Sequence, residues 1–415
     1  MKIVIVSPNF REKRFWKRWE LFAQQYKDVE VVLLAPSNWT FGAMKNYTFG
    51  KKVEFEGQAY EHENFKVRLI HTKQNMLNDW TSPDMGSIIK DETPDFLYVV
   101  GNHVQYSMMQ ALRSCKKYCP KTKRLTFTMR SDNPFEDKTS RNWKARIVSK
   151  VQKYINKYNT QNSDAIFCHY PSAREAIIRE GYNGPVFLNT QIGVDKRFFT
   201  FSQEGRERVR KECHIGDSFL FGSATRFNPE KGILDILEAL PQSGDWKYMI
   251  LGSGREDEIA AIKNKIREQG YEDKVMMPGV IGWDKLSDYL SAWDCALHVP
   301  RTSFSWKETF SLALVQAIAV GRPTIGNTSG SVPYQCGPDG IIVEEGDIKA
   351  LREKMQWMID NPIEAKEIGK KQQQFVLESF ESERLNDCFY EVLLDISSGV
   401  YDSQKIDTVP LKYRR

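Results

Sequence analysis

The stretch Lys307 to Pro323, KETFSLALVQAIAVGRP, joins a carboxylate, a short turn and an apolar helix that stops at Gly-Arg-Pro. Leu314, Ala317, Ile318 and Gly321 recur at i, i+3, i+4 and i+7, the spacing of one buried helix face, and Gly321 and Pro323 are stop signals. The pattern predicts a helix beginning near Ser311. Its unpaired N–H groups and positive dipole end suit phosphate oxygens. Glu308 beside such a cradle cannot favour phosphate itself, but it can accept hydrogen bonds from hydroxyl groups. A ligand with both an anionic diphosphate and hydroxyls, such as a nucleotide sugar, fits that pairing.

On these residues the chain resembles the retaining, nucleotide-sugar-dependent glycosyltransferases of family 4, which have the GT-B fold. That family has a Glu followed by Phe-Gly and then Leu-x-x-x-Glu-Ala-x-Ala-x-Gly-x-Pro. Glu308 and Phe310 match; Ser311 replaces the usual Gly, and Gln316 replaces the second Glu. The resemblance implies that Glu308 meets the donor sugar and Gln316 the ribose, with Phe310, Ser311 and Leu312 lining the same loop. Upstream, FLFGSATRFNPEKGILDILEAL resembles the family's Gly-Arg-Leu-x-x-x-Lys-Gly segment, with Thr225 where Gly is usual. It implies that Arg226 and Lys231 hold the diphosphate and neutralise charge growing on the leaving nucleotide. Ile233, Ile236, Leu237 and Leu240 make the buried face of the helix that follows.

Further segments fall in order. YMILGSG (248–254) predicts a buried strand entering a glycine turn at Gly254. VMMPG (275–279), followed by Val280, resembles the loop that receives the nucleotide base, and DCALHV (294–299) predicts the strand before the Glu308 loop. Strands alternating with helices at this spacing indicate an α/β fold with parallel sheets. The expected architecture is GT-B, two Rossmann-like doubly wound parallel-sheet domains facing a central cleft. At 415 residues the chain is long enough for two cores. Residues 1–192 are expected to form the acceptor-binding domain, opening on strand MKIVIVSP, a helix from about Glu12 to Tyr26, and strand VEVVLLAP. NTQIGVDKRFF (189–199) resembles the family's hinge. Residues 193–380 would form the donor domain, with part of 381–415 packing back on the first.

His103 follows the strand DFLYVVGN, and the resemblance gives it an approach to the donor sugar. Arg130 and Asp132, after another strand, are candidates for the acceptor side. The family's glycine-rich loop after the first strand is missing; Ser7-Pro8-Asn9-Phe10 stands there, so Asn9 and Phe10 are acceptor-side candidates too. Catalytic roles are thereby expected for His103, Glu308, Lys231 and Arg226. No Asp-x-Asp and no HExxH is present, so neither metal nor other cofactor is expected, and Arg226, Lys231 and the helix start would replace a divalent ion.

Charge is divided unevenly. Residues 1–200 hold 32 Lys and Arg against 20 Asp and Glu, a net +12, while the whole chain is +5. Within RNWKARIVSKVQKYINKY (141–158) a helix would place Ile147, Val151, Tyr154, Ile155 and Tyr158 on one side with Lys144, Lys150, Lys153 and Lys157 around it. The first expectation is a core-facing stripe with solvated lysines; the second is an interfacial face meeting anionic lipid or another polyanion. No apolar run approaches 18 residues, no signal peptide opens the chain, and the seven Cys lack metal-like or CxxC spacing. A cytoplasmic location follows as the expectation, with peripheral contact at the inner membrane face open.

The sequence thus points to a metal-independent retaining glycosyltransferase, UDP-sugar favoured as donor. Its acceptor would be lipid-linked or a surface polysaccharide first, a soluble metabolite second, nucleic acid third. Another GT-B activity, a nucleotide-sugar epimerase or phosphorylase, competes with this reading. A binding protein that kept the fold is the non-enzymatic alternative, with Gln316 as its clue.

Overall fold

The computed structural model describes residues 1–40, 54–74, 79–129, 143–303, 306–399 and 406–413. The chain divides into two compact units, Met1–Ile192 with Asn386–Asp407, and Gly193–Leu385 with Thr408–Arg415.

In the first unit the strands of the main sheet are β1 (Lys2–Val6), β2 (Glu30–Pro36), β3 (Tyr60–His62), β4 (Phe65–Ile70), β5 (Phe96–Gly101), β6 (Lys123–Thr128), β7 (Ala165–Cys168) and β8 (Val186–Leu188). They form one sheet in the order β8-β7-β6-β5-β1-β2-β4-β3, parallel throughout except for the β3–β4 pair. A parallel sheet is covered on both faces, which is why Ile3, Val4, Ile5 and Val6 are an uninterrupted apolar run and all fully buried. Ile3 and Ile5 face a core with Trp19, Phe22 and Phe389, whereas Val4 and Val6 face Met85, Leu97 and Leu112.

The helix expected from Glu12 begins only at Lys17 and ends at Gln25. Two 3₁₀ turns, Pro8–Arg11 and Lys13–Phe15, precede it. The Ser7 hydroxyl accepts from the Asn9 N–H at 3.3 Å, and the Trp16 indole N–H donates to the Phe10 carbonyl, which ties the first turn to the start of the helix.

Phe389, on the Ser382–Ser398 helix, closes this unit. Its ring lies 5.0–5.5 Å from those of Trp19, Phe22, Tyr98 and Phe167. The buried Arg18 guanidinium adds a polar tie within the unit, donating to Asn189 Oδ1 at 2.9 Å, Asn386 Oδ1 at 3.3 Å and the Thr190 carbonyl.

In the second unit β9 (Phe219–Ala224), β10 (Trp246–Leu251), β11 (Val275–Gly279), β12 (Cys295–His298), β13 (Thr324–Asn327) and β14 (Ile341–Val343) form a wholly parallel sheet in the order β11-β10-β9-β12-β13-β14. This is the doubly wound order 3-2-1-4-5-6, whose switch point lies between β9 and β12. The apolar run at 219 and the expected strands at 248 and 294 are present as β9, β10 and β12, whereas residues 275–279, expected as a loop, form the edge strand β11; Ile233, Ile236, Leu237 and Leu240 are buried together.

Truncating Phe389 to Ala should lower the free energy of unfolding by roughly 3–5 kcal/mol, because four aromatic neighbours lose a common partner. Urea titration followed by tryptophan fluorescence measures it. A loss under about 1 kcal/mol would show that the aromatic cluster does not depend on this ring.

Candidate donor site at a sheet switch point

Parallel sheets bind ligands beyond the carboxyl ends of their strands, at the point where the winding reverses. In the second unit that point is flanked by the segment after β9, carrying Arg226 and Lys231, and the segment after β12, carrying Glu308. The structure brings them together. Lys231 Nζ is 2.6 Å from Glu308 Oε2, and both side chains are largely buried, at 11% and 6% exposure. Trp306 lies beneath the ammonium with its ring centroid 4.6 Å from Nζ.

Sequence reasoning did not connect His298 to this group. His298 ends β12, and its Nε2 is 3.3 Å from Glu308 Oε2, near enough to act on the charge though not aligned as a hydrogen bond. Its place at the carboxyl end of a strand next to the switch point was the available signal. Burial by itself would raise the Glu308 carboxyl; the His298 imidazole and the Lys231 ammonium outweigh it and hold the group down at about 2. Glu308 is therefore an ionised carboxylate in a nearly water-free setting.

Two glycines allow the approach. A Cβ at Gly232, where φ is +70°, would lie 2.0 Å from the Val299 carbonyl oxygen. One at Gly330, with φ +54°, would lie 1.9 Å from the carbonyl oxygen of Glu308 itself. Neither position admits another residue without moving backbone.

The helix predicted near Ser311 runs from Leu312 to Ala319, with Ser311 as its N-cap and its hydroxyl accepting from the Leu314 N–H at 3.3 Å. Gln335 grips this cap: its Oε1 accepts from the Ser311 N–H and its Nε2 donates to the Ser311 carbonyl, both at 2.9 Å, while Ser331 donates to the same Oε1 at 3.0 Å. Phe310 packs on Phe380, ring centroids 5.7 Å apart. Gln316 is 3% exposed, and its Nε2 has no partner among the described residues.

The neighbouring strand ends are laced into the same rim. Thr225 N–H donates to Leu251 O at 2.9 Å, Phe227 N–H to Ser253 O at 3.0 Å, and Gly252 N–H to Gly279 O at 2.8 Å. Arg226 and Gly254 lie within these loops, and Val280, just beyond β11, is exposed.

The candidates of the first unit fare differently. His103 follows β5 at that sheet's own switch point, yet it is fully buried. Its Nε2 is 3.0 Å from Thr126 Oγ1 and its Nδ1 3.2 Å from Thr160 Oγ1, while its carbonyl accepts from Asn159 Nδ2 at 2.7 Å. Both ring nitrogens serve the interior. The expected sugar contact is thus replaced by a structural tie between β5, β6 and the Trp143–Gln161 helix. Phe10 is likewise buried in the core rather than presented on a rim, and Asn9 is half-buried in the 3₁₀ turn. Arg130 and Asp132 lie outside the described residues.

Residues 205–375, just over two-fifths of the chain, match the family described as glycosyl transferases group 1. The chain is 26% identical over 216 residues to the N-acetyl-alpha-D-glucosaminyl L-malate synthase of Bacillus anthracis, covering 50% of this chain and 54% of that protein. It is 28% identical over 195 residues to a GDP-mannose-dependent monoacylated alpha-(1-6)-phosphatidylinositol monomannoside mannosyltransferase of Corynebacterium glutamicum, covering 45% and 50%. The chain thus spans about half the length of these curated relatives. Among solved structures, sucrose-phosphate synthase from Thermosynechococcus elongatus aligns over 96% of this chain and 100% of its own with a TM-score of 0.71 at 16% identity. The Anabaena protein Alr3699/HepE in complex with UDP aligns over 95% and 100% with a TM-score of 0.70 at 15% identity. The fold is GT-B, with a Rossmann-like α/β domain in each half.

The depressed Glu308 acidity predicts a pH signature. A carboxyl whose folded value is about 2 against an ordinary 4.5 contributes stability that is complete above 4.5 and is lost as pH falls toward 2. Unfolding free energies measured across that window should fall with acid more steeply in the wild type than in Glu308→Gln. Parallel curves would mean that Glu308 is not held ionised by His298 and Lys231.

Proposed function

We propose that the protein is a glycosyltransferase that moves a sugar from a nucleotide-sugar donor, UDP-sugar favoured, to an acceptor with retention of configuration and without a metal ion. The observation that carries this reading is the buried Lys231–Glu308 pair at the switch point, beside the capped start of the Leu312–Ala319 helix. An ionised carboxylate that water scarcely reaches is a strong acceptor for sugar hydroxyls. Ser311 Oγ takes up the Leu314 N–H, and the Leu312 and Ala313 N–H groups are left at the positive helix end, where a diphosphate oxygen is favourable.

In this reading Lys231 and Arg226 supply the fixed positive charge that offsets the negative charge developing on the leaving diphosphate. Because that charge is held in place by Trp306, Gly232 and the β9–β10 lacing, it needs no reorganisation as the bond breaks. Glu308 positions the donor sugar and is not assigned as a nucleophile. Gln316 takes the ribose side, its Nε2 donating to a hydroxyl oxygen. The preference for UDP is supported by likeness to the UDP complex of the Anabaena protein. A glycan or lipid-linked acceptor is supported by the phosphatidylinositol mannoside named for the Corynebacterium relative.

The direct test supplies UDP-, GDP- and ADP-sugars with candidate acceptors in excess EDTA and analyses the products by NMR. Continued transfer, with the anomeric configuration of the donor preserved, is expected. Turnover that stops on chelation and returns with one divalent ion would overturn metal independence, and donor hydrolysis or isomerisation without an acceptor would favour another GT-B activity.

Lys231→Ala and Glu308→Gln should each lower kcat at saturating donor at least tenfold, which needs only about 1.4 kcal/mol of lost transition-state stabilisation. Circular dichroism of the variants separates this from misfolding, since each leaves one buried charge without its partner. Near-wild-type rates in both would remove the site assignment.

A further inference from the structure

The helix Trp143–Gln161 does not behave as the first expectation held. Only its second half is built into the first unit. Ile155, Asn156, Asn159 and Thr160 are buried, and Asn159 and Thr160 bond to His103. The Arg113 guanidinium stacks on Tyr158 at 4.8 Å. In the first half the apolar stripe faces outward: Ile147 is 51% exposed, Val148 and Val151 each 39%, and Tyr154 59%. Ile147, Val151 and Tyr154 are spaced i, i+4 and i+7, so they lie above one another on one face.

Along this helix the sequence carries charge of one sign. From Lys138 to Ser163 the sequence holds seven Lys and Arg and no Asp or Glu. Arg146, Lys150, Lys153 and Lys157 are exposed, and at 100° per residue all four fall along the same flank of the stripe. Apolar groups this exposed are costly in water when contiguous, and a helix anchored at its far half cannot roll to hide them.

We infer that this face docks on an anionic lipid bilayer. Aliphatic side chains and a tyrosine can enter the headgroup and acyl boundary, while Lys and Arg stems lie along it and keep their charges at the phosphates. Aliphatic Ile and Val gain nothing from a nucleic-acid backbone, and an antiparallel second copy of the same face would set cations against cations. The inference is independent of the donor site, since the face belongs wholly to the first unit.

The full-length protein is sedimented with vesicles of phosphatidylcholine alone and of phosphatidylcholine with phosphatidylglycerol. Binding to the mixed vesicles, weakened by added salt, and none to the neutral ones are expected. Lys150→Gln with Lys157→Gln should lower partitioning about 30-fold, the equivalent of about 2 kcal/mol for two cations near a charged surface. Ile147→Asn with Tyr154→Asn should lower it at least tenfold at an unchanged melting temperature, because both side chains are exposed in the free protein. Equal partitioning of wild type and variants would overturn the inference. So would a dimer that Ile147→Asn with Tyr154→Asn dissociates in the absence of vesicle binding, or retention on RNA but not on vesicles.

Discussion

Burying a carboxylate and an ammonium costs several kcal/mol for each ion, and their attraction offsets that cost only when the geometry is close and held. The Lys231–Glu308 pair meets the condition at 2.6 Å, and much of the second unit follows from it. Lys231 sits in a 3₁₀ turn after β9, and Glu308 lies ten residues beyond β12. The two chains meet only because β9 and β12 are neighbours in the sheet. Gly232 and Gly330 then let the backbone on each side come into contact with Val299 and Glu308. An apolar pair of similar volume would stabilise this unit as well or better, so stability alone is a weak reason for charge at this point.

The rest of the rim is arranged around that pair by neutral hydrogen bonds. Gln335 satisfies both backbone groups of Ser311, which fixes the direction in which the Leu312–Ala319 helix starts without spending its first amides. An apolar residue in the place of Gln335 would leave the buried Ser311 N–H unpaired, while the Ser311 carbonyl would keep the Val315 N–H at 3.4 Å. The first unit uses its buried polar groups differently. His103 is held by Thr126, Thr160 and Asn159, with Thr126 bonded onward to Ser163, and Arg18 ties Asn189, Thr190 and Asn386 together.

What could be read from the residues was local. The helix start near Ser311, the face Ile233-Ile236-Leu237-Leu240 and the strands beginning near 248 and 294 depend on periodicity and on signals within a few residues. What could not be read was decided at long range. The partnership of His298 with Glu308 depends on where a loop returns, which no spacing records. His103 shows the converse. A histidine after a strand has the same sequence context whether its ring points outward or is taken up by threonines from a neighbouring strand and helix. Periodicity likewise marked the stripe Ile147-Val151-Tyr154 but not what covers it, and in this chain nothing among the described residues does. The late start of the Lys17–Gln25 helix is local, since Phe15 and Trp16 donate to the carbonyls three residues back, in a 3₁₀ turn, rather than four.

Gln316 is where sequence and structure bear on each other most directly. It occupies the second carboxylate position of the family pattern, and its side chain is enclosed by the Leu312–Ala319 helix, whose remaining core residues are apolar. A carboxylate so enclosed needs a cation or several donors, and Lys231 is already committed to Glu308. An amide lowers that demand while keeping both a donor and an acceptor. Its Nε2 is nonetheless without a partner among the described residues, and a buried donor left so costs about 1–3 kcal/mol. A ligand hydroxyl placed against Nε2 recovers that energy on binding. Under the proposed function, the amide would donate to one ribose hydroxyl where a carboxylate would accept from two by charge.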